Sequence, residues 1–229
     1  MSTPLEAATI AGVSPRTTRK AVRLDADTIV AAAVRVIDDG GLDQLTMRRL
    51  GAELGVDPTA VYRHFRDKDA LLLAICDRLL GSMFDELEPQ DDWRGTLRDL
   101  SEKAWATYQR HPHLADLLSR SPEVLEQHER LTEIGLGALR SAGLTDRDAA
   151  MCYHLLVSYT SGLASTSADP SPPGPPFAGW RRSYALLPED EFPNCVQLAP
   201  VLFPEPADQF RFGLEFILDG IARLAQTAA

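Results

Sequence analysis

The chain has 229 residues, 45% of them hydrophobic, and its 23 lysines and arginines against 33 aspartates and glutamates give a net charge of −10. This length and apolar content are enough for two domains with their own hydrophobic cores, whereas the acidic balance argues against a protein that coats nucleic acid non-specifically. No apolar run approaches the ~20 residues of a membrane span and the polar N-terminus lacks a secretory signal, so we expect a cytosolic protein.

The negative charge is concentrated in the C-terminal part of the chain. Residues 1–80 carry 11 basic and 11 acidic side chains, whereas residues 81–229 carry 12 basic and 22 acidic ones. Any contact with nucleic acid is therefore expected on one face of the N-terminal part, through a few directed residues.

The first 23 residues are predicted to form a flexible basic arm. Between positions 16 and 23, four basic residues occur without an acidic one, after a stretch that has no apolar periodicity. Such a segment is either a solvated terminus or an arm that follows DNA phosphates or enters a minor groove, and both interpretations stay open.

A support helix is predicted next, between a cap at Asp25 and a stop at Gly40 and Gly41. Its apolar residues recur at the spacing of one buried helix face. They are Ile29, Ala32, Ala33, Val36 and Ile37.

Residues 45–73 predict two short helices joined by a tight turn. Thr46 is suited to cap the first helix, and Gly55 is suited to end it in the left-handed conformation. Asp57 is a strong cap for the second helix, with Pro58 in the first helical position, where its missing N–H costs nothing. Helix-turn-helix geometry is typical of DNA-binding proteins, although two helices packed inside a larger helical domain produce the same local pattern.

The second of these helices has the properties of a DNA-reading element. Val61 and Phe65 are four residues apart and are predicted to face the core. The outward face then carries side chains short enough to enter a major groove, namely Thr59, Ala60, Arg63 and His64.

This stretch resembles the N-terminal domain of the TetR-type transcriptional regulators over about residues 24–75. The resemblance implies an all-α protein with an N-terminal three-helix helix-turn-helix DNA-binding domain at 24–70, its motif at 46–65, and a larger C-terminal helical ligand-binding and dimerisation domain at 71–229. The matching residues are Leu45, Thr46, Leu50, Ala52, Leu54, Gly55, Val56, Val61, Tyr62, His64, Phe65, Lys68 and Leu71.

The resemblance also implies which residues contact DNA. Arg48 matches a position that touches a base or a phosphate, and arginine is the side chain best suited to guanine O6 and N7. Tyr62, His64 and Lys68 match phosphate-binding positions, although core packing stays an alternative for Tyr62, and the role of Arg63 stays open. The tip of the recognition helix consists of Pro58, Thr59 and Ala60.

The rest of the chain is predicted to be largely helical. Proline positions, glycine stops and apolar spacing define the elements, and Thr145 with Asp148 resembles a capping box. The predicted helices cover 67–87, 93–109, a segment opening at Pro112, a segment from Pro122 to Gly143, a segment from Thr145 to about Ser165, and 207–225.

Two of these helices are predicted to form a dimer interface. Residues 151–163 are apolar or small nearly all round, which indicates burial on more than one side, and the helix 207–225 resembles the closing dimer helix of the family. One short recognition helix reads few base pairs, whereas two related by a twofold axis read a palindromic operator. The expected assembly is a homodimer through the helix near 145–165 and the helix 207–225.

Residues 169–206 contain ten of the 16 prolines, so no regular helix is expected there and the segment is predicted to be a long Pro-rich loop. Its aromatic residues argue against a disordered linker, because they supply surface that can be buried. They are Phe177, Trp180, Tyr184, Phe192 and Phe203.

The ligand site is predicted less directly, because ligand pockets of this family are not built from a portable motif. The helices that usually wall the pocket carry six candidates that would give an aromatic, mostly apolar cavity, although each alone also fits an ordinary core position. The candidates are Trp105, Tyr108, Leu117, Tyr153, His154 and Val157.

No metal site, cofactor or disulfide is predicted. The three cysteines are widely spaced and form no CxxC pair, so they are expected to be small buried hydrophobic residues. The pair His111 and His113, and the pair Cys152 and His154, do not supply three or four ligands at a recognised spacing.

These features together predict a homodimeric repressor that leaves its operator when a small, largely apolar organic effector binds. Two other classes stay as alternatives: a ligand-independent DNA-binding adaptor that senses a protein partner, and an enzyme with an attached DNA-binding module. For the enzyme, the chain contains no phosphate loop, nucleophile elbow, HExxH motif or carboxylate constellation.

Overall fold

The computed structural model describes residues 24–88, 90, 92–114, 118, 125–167 and 178–228. Within these ranges every regular element is helical, which confirms the predicted fold class; the N-terminal arm lies outside them. The helices are α1 (Ala26–Gly40), α2 (Met47–Leu54), α3 (Pro58–Tyr62), α4 (Lys68–Glu86), α5 (Trp93–Arg110), α6 (Glu126–Ser141), α7 (Asp146–Ser167), α8 (Ala178–Ala185), α9 (Pro193–Leu198) and α10 (Pro206–Ala228), with a 3₁₀ turn at Leu42–Gln44.

The predicted ends of the first two helices are confirmed. The Asp25 carboxylate accepts the N–H of Thr28 at 2.8 Å, and the Thr46 hydroxyl accepts the N–H of Arg49 at 3.1 Å. Gly55 ends α2 with a φ of +67°, a left-handed conformation that favours glycine because it strains a residue with a Cβ. Local sequence therefore determines where the chain turns between the two short helices.

The first hydrophobic core joins α1, α2, α3 and part of α4. Ile29, Leu50 and Val61 are completely buried in it, so each of the first three helices contributes its predicted apolar face. The first three turns of α4 add Leu71, Ile75, Cys76 and Leu79. The predicted domain boundary between residues 70 and 71 therefore falls inside α4, within the packing of this core.

The second core is formed by α5, α6, α7 and α10. Its completely buried residues include Leu97, Leu139, Leu214 and Leu218. At its edge Arg98 donates two hydrogen bonds to Glu215, at 2.7 and 3.0 Å, and Arg94 donates a third at 2.8 Å. These ion pairs join α5 to α10 across the chain.

The helix bounds in the C-terminal part agree with the predicted ones to within about three residues where both ends are described. At the predicted capping box, the Thr145 hydroxyl accepts the N–H of Asp148 at 3.2 Å and donates to the Asp148 carboxylate at 2.7 Å. The two side chains are therefore bonded directly to each other. The predicted helix starts at Pro122 and after Pro112 fall on or beside residues outside the described ranges.

The prediction that no regular helix persists in residues 169–206 is wrong. Helices α8 and α9 lie in this segment and contact each other. The prolines are unevenly spaced: none occurs from 177 to 187, and Pro193 occupies the first turn of α9, where proline is tolerated. Trp180, Tyr184 and Phe203 form an aromatic cluster with ring centroids 5.5–6.2 Å apart.

A broad apolar surface on α7 and α10 is uncovered in the single chain. Met151 and Leu155 on α7 are 67% and 53% exposed, and Phe212 and Phe216 on α10 are 75% and 65% exposed. One chain alone thus leaves one face of each helix without a partner. None of the described helices is both long and apolar enough to cross a membrane.

Candidate functional site

The approach of α2 to α3 depends on a glycine. A Cβ added at Gly51 would lie 3.0 Å from the carbonyl oxygen of Val56 and 3.2 Å from the nitrogen of Pro58. Both neighbours are backbone atoms, which have little freedom to move aside. Gly51 therefore sets how closely the first motif helix packs against the start of the second.

The short helix α3 presents its polar side to solvent. Val61 is completely buried, whereas the next residue, Tyr62, is 52% exposed, and Arg63 and His64 are exposed after it. The exposure of Tyr62 disfavours the alternative of a core-packing role. Arg48 on α2 is also exposed.

The tip of α3 is organised by its N-cap. The Asp57 carboxylate accepts both the N–H and the hydroxyl of Thr59, at 2.8 and 2.6 Å, and these bonds hold the pKa of Asp57 below its ordinary value. Because the Thr59 hydroxyl proton is used within the protein, this side chain has only its lone pairs left and can act as a hydrogen-bond acceptor.

Lys68 is the first residue of α4 and is half-buried. Its predecessor, Asp67, caps the helix by accepting the N–H of Ala70 at 2.8 Å and pairs with Arg66 at 3.1 Å. A carboxylate thus already occupies part of this helix N-terminus, so an anion there would be bound mainly by the Lys68 and Arg66 side chains.

A cavity of about 610 Å³ lies in the C-terminal part, between α4, α5, α6 and α7. Its walls are mainly apolar, with several hydroxyl groups, which is the composition typical of small-molecule sites. The described lining residues are Leu80, Met83, Leu97, Leu100, Ser101, Ala104, Tyr108, Leu118, His128, Leu131, Tyr153, Leu156, Val157, Thr160, Ser161, Gly162 and Ser165.

Three of the six predicted ligand residues, Tyr108, Tyr153 and Val157, line this cavity. Trp105 does not: its ring stacks on Phe210 at 4.6 Å in the second core. His154 is exposed on α7, with its ring edge-on to Tyr153 at 6.0 Å. Each of these two residues directly follows a lining residue in the sequence but lies outside this cavity. Leu117 lies outside the described residues.

Most of the polar cavity residues were missed from the sequence, among them Ser101, His128, Thr160, Ser161 and Ser165. The sequence did contain a signal for Ser161 and Ser165. Positions 153, 157, 161 and 165 repeat every four residues and so lie along one ridge of α7. Small hydroxyl residues in an otherwise apolar helix were assigned to general burial instead.

The two cavity tyrosines differ in their hydrogen bonding. Burial raises the pKa of Tyr108 to about 12, so its hydroxyl stays protonated. Thr132 gives its hydroxyl proton to the carbonyl of His128 at 2.8 Å, so the 2.8 Å contact between Tyr153 and Thr132 has the tyrosine as donor. Burial also raises the pKa of Tyr153.

Two connections join the cavity to the first core. Helix α4 carries Leu79 in the first core, and the residues that follow it, Leu80 and Met83, line the cavity. After α5, the buried Leu114 packs into the first core, and His111 Nδ1 lies 3.1 Å from the Asp38 carboxylate of α1. The helix-turn-helix unit therefore packs against α4 and against the segment that follows α5, and both of these helices line the cavity.

Two family models match the chain. Residues 29–75 match "Bacterial regulatory proteins, tetR family", and residues 86–225 match "Tetracyclin repressor-like, C-terminal domain". Among curated proteins, the transcriptional repressor DrrR1 of Streptomyces coeruleorubidus is 29% identical over 208 residues, which cover 86% of this chain and 77% of that protein.

Solved structures extend the similarity to the whole fold. ActR of Streptomyces coelicolor in complex with actinorhodin is 29% identical with a TM-score of 0.74, covering 89% of this chain and 99% of that one. BioQ with its double-stranded DNA operator is 27% identical with a TM-score of 0.61, covering 88% and 99%. The helix-turn-helix unit, the helical cavity domain and these similarities together show that the chain is a transcriptional regulator that belongs to the TetR family.

Proposed function

We propose that the chain is a homodimeric repressor that binds a palindromic operator and leaves it when a small, largely apolar molecule enters the cavity. In this proposal residues 24–70 form the DNA-binding unit and residues 71–229 the ligand-binding and dimerisation unit. The observation that carries it is the double role of α4. Its Leu79 packs in the first core, which holds the helix-turn-helix, while its Leu80 and Met83 line the cavity.

The DNA contacts are proposed from exposure and side-chain chemistry. Arg48 and the tip of α3 are assigned to base edges, with Thr59 as an acceptor. Tyr62, His64 and Lys68 are assigned to phosphates, and the exposed Arg63 adds positive charge beside them. The tip consists of Pro58, Thr59 and Ala60. The solved complex of BioQ with its operator supports DNA binding by this fold.

Dimerisation is proposed through the uncovered face of α7 and α10. Four large side chains, Met151, Leu155, Phe212 and Phe216, are more than half exposed there, and an apolar patch of this kind marks an association surface. A twofold axis would place two copies of α3 near one DNA turn, ~34 Å, apart. Phe216→Glu is expected to give folded monomers in sedimentation, with loss of operator binding.

Release by ligand is proposed to follow from the position of the cavity. A molecule that binds better to one arrangement of α4 than to another shifts the spacing of the two recognition helices, and thereby the operator affinity. The solved complex of ActR with actinorhodin supports the binding of a small molecule by a protein of this fold, and the name of DrrR1 supports repression.

The experiment is a gel-shift titration of the purified protein on DNA from its own promoter region, at several salt concentrations and with competitor DNA. Lys68→Ala is compared with Lys103→Ala, which removes the same charge from α5. A phosphate contact made by Lys68 in each half-site predicts weaker binding and a salt slope reduced by about 2, because the dimer has two copies.

Lys103→Ala is expected to leave both quantities unchanged. Saturable binding to one palindromic site that resists competitor supports the repressor. Binding that never distinguishes promoter DNA from competitor, at any salt concentration, would contradict the proposed function.

A further inference from the structure

The cavity carries no fixed charge among its described lining residues. They include no lysine, arginine, aspartate or glutamate. The one histidine among them, His128, is exposed to solvent. Against these residues a ligand carboxylate or ammonium group would lose its water without gaining an ion-pair partner, which is costly. The described walls therefore favour a ligand that is uncharged.

Three serine hydroxyls at the cavity have already used their protons. Ser101 donates to the carbonyl of Leu97 at 2.7 Å, Ser161 to that of Val157 at 2.8 Å, and Ser165 to that of Ser161 at 2.9 Å. Each oxygen keeps its lone pairs for a ligand. These positions, two of them on α7, can therefore accept hydrogen bonds from donors such as ligand hydroxyl groups.

Two other hydroxyls are in the opposite situation. Tyr108 and Thr160 line the cavity and make no hydrogen bond with any residue in the described part of the chain. Thr160 is buried, and the Tyr108 phenol stays protonated, so both have a proton to donate in a low-polarity environment. Neither hydroxyl is a buried atom without a partner, a situation that among the described residues is found at Arg181 Nε. Because both line the cavity, each can donate its proton to a ligand oxygen there.

We propose that the effector is an uncharged molecule with an apolar body, whose carbonyl oxygens accept from Tyr108 and Thr160 and whose hydroxyl groups donate to Ser101, Ser161 or Ser165. This rests on the proposed ligand-responsive function and specifies its ligand class. A volume of about 610 Å³ suits an organic molecule of drug size.

The test uses 2-(hydroxymethyl)anthraquinone and anthraquinone-2-carboxylate in calorimetric titrations of the whole chain at pH 7.5. The two compounds share one flat skeleton with two carbonyl groups, and they differ in a neutral hydroxymethyl group against a carboxylate. The neutral compound is expected to bind at least tenfold more tightly. Tyr108→Phe and Thr160→Val should each weaken it about fivefold to tenfold, whereas Thr166→Val, outside the cavity on the same helix, should leave it unchanged.

Three results would overturn the ligand class. The carboxylate could bind as tightly as the neutral compound or more tightly, the affinity for the neutral compound could be unchanged in both Tyr108→Phe and Thr160→Val, or neither compound could bind. Parallel gel shifts on promoter DNA distinguish a failure of the proposed ligand class from a failure of the proposed function. Specific operator binding together with any of the three results rejects the ligand class alone, whereas absent operator binding rejects the repressor itself. Circular dichroism confirms that each variant is folded.

Discussion

Two glycines on α6 provide an internal comparison of packing against helix propensity. A Cβ at Gly135 would lie 2.9 and 3.1 Å from two ring carbons of Tyr153 and 3.5 Å from Leu100, whereas a Cβ at Gly137 would meet nothing within 4 Å. Both positions are in the interior of the helix. Gly135→Ala and Gly137→Ala therefore make the same chemical change in different surroundings.

The expected magnitudes follow from these contacts. Replacing an interior glycine with alanine stabilises a helix by about 1 kcal/mol, and this gain is common to both variants. Only Gly135→Ala must displace the Tyr153 ring, which is tied to Thr132 at 2.8 Å, and such overpacking costs about 1–3 kcal/mol. Gly135→Ala should thus be less stable than Gly137→Ala by about 1–3 kcal/mol.

The assay is thermal unfolding followed by circular dichroism at fixed protein concentration. For a chain of this length each kcal/mol corresponds to about 2–4 °C in Tm. Gly137→Ala should melt slightly above the parent protein, and Gly135→Ala clearly below Gly137→Ala. Equal melting temperatures for the two variants would refute the inference that the Tyr153 ring packs on Gly135.

Three further outcomes are expected. Gly213→Ala places a Cβ on the Tyr159 ring, whose hydroxyl donates to a carbonyl of α10 at 2.5 Å, so denaturant titration should show a loss of about 1–3 kcal/mol. Glu215, held by two arginines, has a folded pKa of about 2, below its ordinary 4.5. Its stabilisation is therefore complete above pH 4.5 and lost as the pH falls towards 2; because it is 46% exposed, Glu215→Gln should cost only about 1 kcal/mol at pH 7 and progressively less below pH 4.5. Asp57→Ala removes the cap of the five-residue α3, and should lower stability by about 1 kcal/mol and weaken operator binding in gel shifts; unchanged binding would show that α3 needs no cap.

The elements that were predictable from sequence are those fixed by local chemistry. Thr46, Gly55 and Asp57 determine their helix ends through contacts within three residues, and a single sequence contains that information. The helices α8 and α9 were missed because a high proline count over 169–206 was given more weight than the positions of the prolines within it. Local spacing, and not composition, decides whether a short helix forms.

The cavity was predicted only in part for a different physical reason. Periodicity on α7 indicates burial all round, but it does not distinguish a face that meets a neighbouring helix from one that meets a cavity or a second subunit. Tyr153 and Val157 were predicted and line the cavity, whereas Thr160, about five sixths of a turn from Val157, lines it without having been predicted, and His154 lies outside it. Only the packing of α4, α5 and α6 around α7 separates these faces.

The same packing connects the cavity to the DNA-binding unit. Neighbouring residues of α4, Leu79 and Leu80, are buried in different clusters, and closely packed side chains do not absorb a displacement without passing it on. We therefore expect a shift at Leu80 to move Leu79 and the first core with it, while the contact of His111 with Asp38 holds α1 to the end of α5. On this proposal a change in the angle between α4 and α5 reorients the helix-turn-helix unit, because both of its attachments are anchored to helices that line the cavity.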